Sequence, residues 1–310
     1  RRPTPVEDPA DATGCVMYLS ALQGLRVLDL AGERGAFCGK LLADMGADVI
    51  KVEPPGGDQA RRIGPFLHGT AHLERSLSFW YNNTSKRGIT LNLESSWGQK
   101  VFRSLAQAAD VVLESFPPGY LKDLELDCES LVKINAGLTM TSISDFGQTG
   151  PYRDRLSCDL VASALGGQMY VCGDVDTPPL SPYGEQAYLV ASIFGATGTL
   201  MALHHRHFSG RGQFVDISVH ECLSGVIEHV NVRYFYEGVV ARRRGSLHWD
   251  NAFRVFPCRD GHILLSLFRE WDTVLEWLDS EGMAADLKDE KWRDPEARHQ
   301  QVEHVIAVLE

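Results

Sequence analysis

The sequence predicts an α/β protein in which a doubly wound, mostly parallel sheet forms a Rossmann-like large domain and a smaller α+β domain follows. From Leu25 onward, short β-prone runs alternate with segments of helical periodicity, the pattern of a parallel sheet covered on both faces. With 310 residues the chain is long enough for two domains and a large core. Near the C-terminal end, two β-prone runs flank Asp260-Gly261, which predicts a hairpin in the smaller domain.

The elements follow one another along the chain. β-prone runs predict strands of the large domain at 26–30, 48–52, 89–93, 111–113, 138–143 and 214–219. Apolar residues at helical spacing predict helices at 36–45, 97–109 and 188–205. The last of these is apolar and carries small residues, so we expect a buried helix. In the smaller domain, the same patterns predict strands at 251–258 and 262–268 and helices at 270–280 and 295–309.

The predicted domain organisation has four parts. Residues 1–21 are rich in proline and acidic residues and are expected to be extended. The large domain covers 22–219, a linker covers 220–238, and the small domain covers 239–310. A helical pattern continues to the last residues, so we expect the small domain to be incomplete at its C-terminus.

Composition narrows the class of partner. The formal net charge of -11 argues against nucleic acid or an acidic membrane surface, because both favour a basic face. Seven cysteines without a Cys-x-x-Cys pair indicate neither a disulfide framework nor a zinc ribbon, which fits a reducing cytoplasm. His204, His205 and His207 have no neighbouring carboxylate or cysteine to complete a ligand set, so no metal site is expected.

The most informative segment is SDFGQTGPYRDRLSCD at 144–159. It reads as a strand end, a loop broken by glycine and proline, and the start of a helix. Ser157 is the expected N-cap, which places Asp159 in the first helical turn, where the positive end of the helix dipole favours an ionised carboxylate. Aspartate is common in first turns for stability alone. Local features therefore favour capping over catalysis.

Glycines after the first strand imitate a dinucleotide site. Gly32, Gly35 and Gly39 have the spacing Gly-x-x-Gly-x-x-x-Gly, which is not the Gly-x-Gly-x-x-Gly fingerprint of nicotinamide cofactor sites. Close packing between a helix and a strand explains these glycines without a cofactor.

Basic residues gather near the loops between predicted strands: Lys51, Arg61 and Arg62, and Lys86 and Arg87 just before the strand at 89–93. Any one of them is most simply a solvated charge, but clustered at one sheet edge they would suit a phosphorylated ligand. Phe116, directly after the strand at 111–113, is either a loop anchor or a platform for a base. The residues alone leave both interpretations open.

Six motifs occur along the chain in one order. They are LQGLRVLDL (22–30), GADVIKVE with PGGD (46–58), NTSKRG (83–88), SFPPG (115–119), GQTGPY (147–152) with Asp159, and GRGQ (210–213). In this order they resemble the family III CoA-transferases, which include formyl-CoA and carnitine-type CoA-transferases. The resemblance covers residues 22–268. Six ordered motifs are far more specific than a single match.

The resemblance implies a mechanism. The aspartate that aligns with Asp159 attacks an acyl-CoA thioester, and the reaction passes through an aspartyl-acyl anhydride and an enzyme-CoA thioester to a carboxylic acid acceptor. A carboxylate is ionised at neutral pH and needs no base to become a nucleophile, which agrees with the absence of a Gly-x-Ser-x-Gly motif. The resemblance also implies a CoA thioester as substrate, no permanently bound cofactor, and an interlocked homodimer or close heterodimer.

The resemblance also assigns site residues. Lys86 and Phe116 match family residues that hold the CoA nucleotide, and the CoA-binding assignment extends to Ser115, Pro54 and Arg61, although Pro54 replaces a basic residue and Ser115 an asparagine. Expected contacts near the thioester or active site are Glu33, Arg34, Gly147, Gln148 and Glu185. The stretch 244–251 matches a glycine-rich lid but contains one glycine.

Two alternatives accompany the transferase hypothesis. The α-methylacyl-CoA racemases share the fold but pair the aspartate with an upstream histidine, and no histidine occurs here between His72 and His204. The transferase is therefore favoured. The chain could instead be the non-catalytic subunit of a heteromeric transferase, although Asp159 argues against it. The acyl donor and acceptor are not readable, and a dicarboxylate is a hypothesis from the arginines near Arg61.

Overall fold

The computed structural model describes residues 20–227, 229–247, 252–266 and 270–310. Most of the predicted extended segment at 1–21, part of the predicted lid at 244–251 and the end of the predicted strand at 262–268 lie outside the described residues.

The described chain falls into two compact units. One contains residues 20–166 together with Tyr183–Val226, and the other contains Gly167–Pro182 and Ile227–Glu310. The second unit therefore includes a segment from the middle of the chain as well as the C-terminal part. The predicted boundaries around the linker at 220–238 stay predictions.

The first unit is built on one six-stranded sheet. Its strands are β1 (Arg26–Asp29), β2 (Asp48–Glu53), β3 (Arg87–Thr90), β4 (Val111–Glu114), β5 (Thr139–Ser144) and β6 (Phe214–Ser218). They lie in the order β3-β2-β1-β4-β5-β6, and all neighbours are parallel, which confirms the predicted α/β class. This order is that of a doubly wound sheet, in which ligands bind beyond the carboxyl ends of the strands where the order reverses, here between β1 and β4.

Helices connect the strands and continue into the second unit. In chain order they are α1 (Ala36–Asp44), α2 (Leu77–Asn82), α3 (Ser96–Gln107), α4 (Tyr120–Asp123), α5 (Cys128–Leu131), α6 (Asp159–Leu165), α7 (Gln168–Val171), α8 (Gln186–Ser209), α9 (Val219–Gly225), α10 (Val230–Glu237), α11 (Trp271–Ser280), α12 (Pro295–Gln300) and α13 (Val302–Leu309). Short 3₁₀ helices occur at Gln59–Arg62, Leu67–Gly69, Ala285–Lys288 and Glu290–Arg293.

Neighbouring residues on the strands point into two separate core layers. Val27 in β1 packs in the layer that contains α1 and α8, whereas Leu28 packs in the layer that contains α3. Val111 and Val112 in β4 divide in the same way, and all four side chains are buried. Because helices cover both faces, the strands are apolar on both sides. This arrangement explains the continuous β-prone runs in the sequence.

The long helix α8 supports the site from within the first unit. By length and apolar composition alone its 24 residues could cross a membrane. In the structure α8 packs against α1, β5, β6 and α9. Its buried positions are mostly small, which confirms the predicted buried helix: Ala187, Tyr188, Ala191, Ser192, Gly195, Ala196, Thr199 and Ala202.

Two predicted elements differ from the structure. The strand expected at 89–93 is β3, which ends at Thr90, because Asn92 and Ser95 form a side-chain-bonded turn that starts α3. The single helix expected at 295–309 is divided into α12 and α13 at Gln301, whose φ of -121° is not helical.

The second unit contains the predicted hairpin. Its strands β7 (Arg254–Cys258) and β8 (Gly261–Leu265) pair antiparallel. A small core of aromatic and aliphatic side chains surrounds them and includes Phe256, Trp271, Leu287, Trp292 and Ile306.

Candidate functional site

A cavity of about 630 Å³ lies where the sheet order reverses. Its volume is within the usual range of small-molecule sites. Residues that follow β1, β2, β3 and β4 line it, among them Gly32, Glu33, Arg34, Pro54, Pro55, Asn92, Glu94, Ser115, Phe116 and Tyr120. The cavity therefore occupies the position in which this class of sheet binds its ligands.

Three of the residues predicted to bind CoA line this cavity. Phe116 contributes its ring, whose centre lies 4.6 Å from that of Tyr120. The buried Ser115 hydroxyl accepts a hydrogen bond from the backbone N–H of Gly32 at 2.9 Å, which ties the turn after β4 to the turn after β1. Pro54 lines the wall that follows β2. Their contact with CoA stays a prediction.

Lys86, which was also predicted to hold the CoA nucleotide, lies elsewhere. Its Nζ is 2.7 Å from Asp29 Oδ2, and both side chains are almost fully buried, with exposures of 1% and 0%. The same ammonium donates to the Ala36 carbonyl and to Asn83 Oδ1, both at 2.8 Å. All three donors of this lysine thus have protein acceptors. Gly39 faces the pair, because a Cβ there would lie 2.3 Å from Asp29 Oδ2.

The basic residues do not form the free positive patch that would suit a phosphorylated ligand. Arg61 forms a bidentate pair with Glu53, at 2.6 and 2.8 Å, and Lys51 pairs with Asp58 at 2.7 Å. Arg87 pairs with a carboxylate too. Each of these three cations is paired with a carboxylate, and neither Lys86 nor Arg61 lines the cavity. Their predicted CoA contacts stay predictions without support from this geometry.

Asp159 caps a helix, but not its own. The N-cap of α6 is Cys158 rather than the expected Ser157, and neither the Cys158 side chain nor Ser157 caps it. Asp159 Oδ1 instead accepts the backbone N–H groups of Ala187, at 2.7 Å, and Tyr188, at 3.3 Å. These amides belong to the first turn of α8. Helix α8 therefore holds one carboxylate oxygen, and no described residue donates a hydrogen bond to the other.

Two further carboxyl groups lie beside Asp159. Glu185, the N-cap residue of α8, shares a hydrogen bond with Glu33, and a hydrogen bond between two carboxyl groups must contain a proton. Burial, this bond and the charges of Glu33 and Asp159 raise the pKa of Glu185 to about 7. Burial also raises the pKa of Asp159, and the charge of Glu33 raises it further. The two amide hydrogen bonds act in the opposite direction without cancelling this shift.

Arg34 brings a positive charge to the same region. Its Nε donates to Asp145 Oδ1 at 2.7 Å, and its guanidinium carbon lies 5.9 Å from the centre of the Tyr188 ring. Burial opposes the charged form, but the hydrogen bond and charge of Asp145 outweigh it and raise the pKa of Arg34. Arg34 and Glu33 both line the cavity, so one end of the cavity adjoins the Asp159 region.

A buried polar network that was not predicted from the sequence adjoins the cavity residue Phe116. Glu114, at the end of β4, accepts the Phe116 N–H at 2.7 Å and hydrogen-bonds Ser142 on β5. The Ser142 hydroxyl accepts from Gln148 Nε2 at 2.9 Å. Burial raises the pKa of Glu114 to about 7. The signal was a charged residue that ends an otherwise apolar strand, directly before the SFPPG motif.

The loop residues Gly147 and Gln148 do not line the cavity. Gly147 has a φ of 82°, which favours glycine, and a Cβ there would lie 3.4 Å from Asp216 Oδ2. The Gln148 N–H donates to both carboxylate oxygens of Asp216, at 2.9 and 3.1 Å. The loop that leads to Asp159 is thereby fixed to β6. A contact of these residues with the thioester stays a prediction.

Across the described ranges, no group of histidine, cysteine and carboxylate side chains is arranged to hold a metal ion.

Comparison with known proteins gives a consistent result. The family model described as CoA-transferase family III matches residues 22–310. The chain is 37% identical over 277 residues to subunit BbsE of succinyl-CoA:(R)-benzylsuccinate CoA-transferase from Thauera aromatica, over 87% of this chain and 67% of that protein. It is 35% identical over 297 residues to succinate–glutarate CoA-transferase from Agrobacterium fabrum, over 93% of this chain and 72% of that protein.

A solved structure agrees. The crystal structure of a CaiB/BaiF family protein from Brucella suis matches with a TM-score of 0.80 at 32% identity, and the match covers 94% of this chain and 77% of that chain.

Proposed function

The chain belongs to family III of the CoA-transferases, and from this premise we propose that it moves CoA from an acyl-CoA thioester to a carboxylic acid with Asp159 as the nucleophile. The observation that carries the proposal is the Asp159 carboxylate, which has one oxygen on two helix amides and stands beside the cavity-lining Glu33. A nucleophile fixed in this way reacts without reorienting.

Each step exchanges one acyl bond for another. Asp159 Oδ2 attacks the thioester carbonyl, the C–O bond forms, the C–S bond breaks, and CoA leaves as a thiolate. The thiolate then attacks the aspartyl carbonyl of the anhydride and releases the donor acid, which leaves CoA bound to Asp159 as a thioester. The acceptor carboxylate and the thiolate repeat these two attacks in reverse and regenerate Asp159. No step requires a base to activate the nucleophile.

The raised pKa of Asp159 fits this role. A carboxylate that is partly withdrawn from water is a stronger nucleophile than a fully solvated one, and the two amide hydrogen bonds favour its ionised form. The proton that Glu33 and Glu185 share removes one of the two negative charges beside Asp159.

We assign the CoA moiety to the cavity between the turns after β1 and β4. Phe116 offers a ring face for the nucleotide base, and Ser115 and Pro54 complete that wall. The acyl group then extends toward the end of the cavity that Glu33 and Arg34 line, which adjoins Asp159.

The relatives suggest the class of substrate and the assembly. The two named relatives carry succinyl-CoA or succinate in their names, and one of them is named as a subunit. We therefore propose dicarboxylic acids as donors and acceptors, and a homodimer or a close heterodimer as the working assembly.

The test is chemical trapping. The protein is mixed with a panel of acyl-CoAs, quenched, digested and examined by mass spectrometry. A mass increase on the peptide that contains Asp159 supports the proposal, and an unmodified peptide with every donor contradicts it. Deuterium exchange at the α-carbon of a 2-methylacyl-CoA without an acceptor would favour racemase chemistry instead.

A further inference from the structure

We propose that Arg34 binds the distal carboxylate of a dicarboxylic acyl group and thereby selects dicarboxylic over monocarboxylic substrates. This inference rests on the proposed function, in which Asp159 receives the acyl group.

The contacts of Arg34 fix its side chain while leaving donors available. Its Nε is bound to Asp145, and its backbone carbonyl accepts from the Ser192 hydroxyl of α8 at 3.3 Å. Within the described part of the chain, the structure records no hydrogen bond from the two Nη groups. A guanidinium held at Nε still presents the outer N–H groups that match a carboxylate.

Tyr188 connects Arg34 to the nucleophile. Its ring lies below the guanidinium, and its backbone N–H donates to Asp159 Oδ1. Arg34 and Asp159 therefore both interact with Tyr188, a residue in the first turn of α8. A succinyl-type chain is short, and its second carboxylate must fall near its point of attachment.

Charge makes a cation necessary for such a substrate. Asp159, Glu33 and Glu185 already place three carboxyl groups together, and their mutual influence is visible in the raised pKa values of Asp159 and Glu185. A further carboxylate would be repelled unless a cation compensates it. The Asp145 side chain is only 11% exposed, and its carboxylate is bound to Arg34. The pair therefore holds the guanidinium in a fixed position, unlike a mobile surface charge.

A purely structural role is the competing explanation. On that view Arg34 serves only to neutralise Asp145, and its loss would affect every substrate alike. Arg34 lines the cavity and keeps 33% of its side chain exposed, which a structural ion pair does not require.

The experiment compares two acyl donors of equal chain length, succinyl-CoA and butyryl-CoA, and uses the protein of 310 residues. The rate of covalent modification of the Asp159 peptide is measured without an acceptor for the wild type, Arg34→Gln and Arg34→Lys. Lys100→Gln, an exposed position on α3, controls for the loss of one positive charge. Arg34→Gln is expected to lower the succinyl-CoA rate about tenfold or more, with the butyryl-CoA rate within about twofold. Arg34→Lys is expected to recover part of the preference.

Equal losses with both donors, or no loss with either, would overturn the inference. If Arg34→Gln does not fold, Arg34→Lys provides the test through its ratio of the succinyl-CoA rate to the butyryl-CoA rate. A ratio equal to those of the wild type and of Lys100→Gln would count against the inference. If the wild type modifies no peptide with any donor, the proposed function itself fails. If butyryl-CoA modifies Asp159 as fast as succinyl-CoA, only the role of Arg34 fails.

Discussion

The carboxylate of Asp159 accepts the backbone N–H of Ala187 at 2.7 Å, so the residue that begins α6 caps α8. Capping and catalysis were competing interpretations of this aspartate in the sequence. The geometry is compatible with both, because Oδ1 makes the capping bonds and no described residue donates a hydrogen bond to Oδ2.

Replacing Asp159 by Asn separates the two roles. The amide oxygen of Asn still accepts the α8 N–H groups, but the amide does not attack a thioester. We expect transfer to fall at least about 10⁴-fold while the free energy of unfolding changes by less than about 0.5 kcal/mol. Steady-state assays and urea unfolding measure the two quantities. Asp159→Ala also removes the cap and is expected to lose about 1 kcal/mol of stability.

Glu33 is expected to control the pH at which the enzyme loses activity in acid. The Asp159 carboxylate must be ionised to attack, and the charge of Glu33 contributes to its raised pKa. Glu33→Gln removes that charge, so the acid limb of the pH–rate profile is expected to move to lower pH. Glu94→Gln, which also removes a charge from the cavity wall, is the control. A shift of the same size in both variants would contradict a specific effect.

Glu114 is expected to make stability fall as pH rises. Its folded pKa of about 7 lies above its ordinary value of 4.5, so the folded state holds this proton longer than the unfolded state does. Stability is fully present below the unfolded pKa and is lost as pH rises toward the folded pKa. The 2.5-unit difference corresponds to about 3 kcal/mol.

Glu114→Gln keeps an acceptor for the Phe116 N–H and removes the titration. Unfolding free energies of wild type and variant are compared at pH values between about 4 and 8. As pH rises across this range, the unfolding free energy of the variant is expected to increase relative to that of the wild type by up to about 3 kcal/mol. A constant difference would show that Glu114 does not titrate there.

A substitution of Lys86 distinguishes its role in a buried ion pair from the nucleotide-binding role that the family resemblance implies. Its buried pair with Asp29 predicts that Lys86→Met leaves a buried charge unpaired and destabilises the protein by about 3 to 5 kcal/mol. Arg87→Gln breaks the exposed pair with Asp48 and is expected to change stability by less than about 1 kcal/mol. A Lys86→Met variant of normal stability with a raised KM for acyl-CoA would favour the nucleotide-binding role instead.

Much of the fold was predictable because burial on both faces leaves a strong mark on the strands. The runs that became β1, β2 and β4 were identified within one or two residues. The end of β3 was not, because the Asn92 and Ser95 turn stops pairing while Leu91 and Leu93 remain buried. The pattern of apolar residues indicates which positions are buried, but it does not show which strand residues pair by hydrogen bonds.

The site was predictable to the extent that motifs mark turns after strands. Phe116, Ser115 and Pro54 line the cavity as those motifs suggest. Lys86 shows the limit, because a sequence gives a charge but not its partner, and Asp29 lies 57 positions away. The capping of α8 by Asp159 spans 28 positions and was invisible for the same reason.

The central claim is that Asp159 carries the acyl group and then CoA. The most direct test is rapid quench of the wild type with succinyl-CoA, followed by mass spectrometry of the peptide that contains Asp159, with Asp159→Asn as control. We expect a CoA or acyl adduct on this peptide in the wild type and none in the variant. Turnover by the wild type with the adduct on another residue, or full activity of Asp159→Asn, would contradict it.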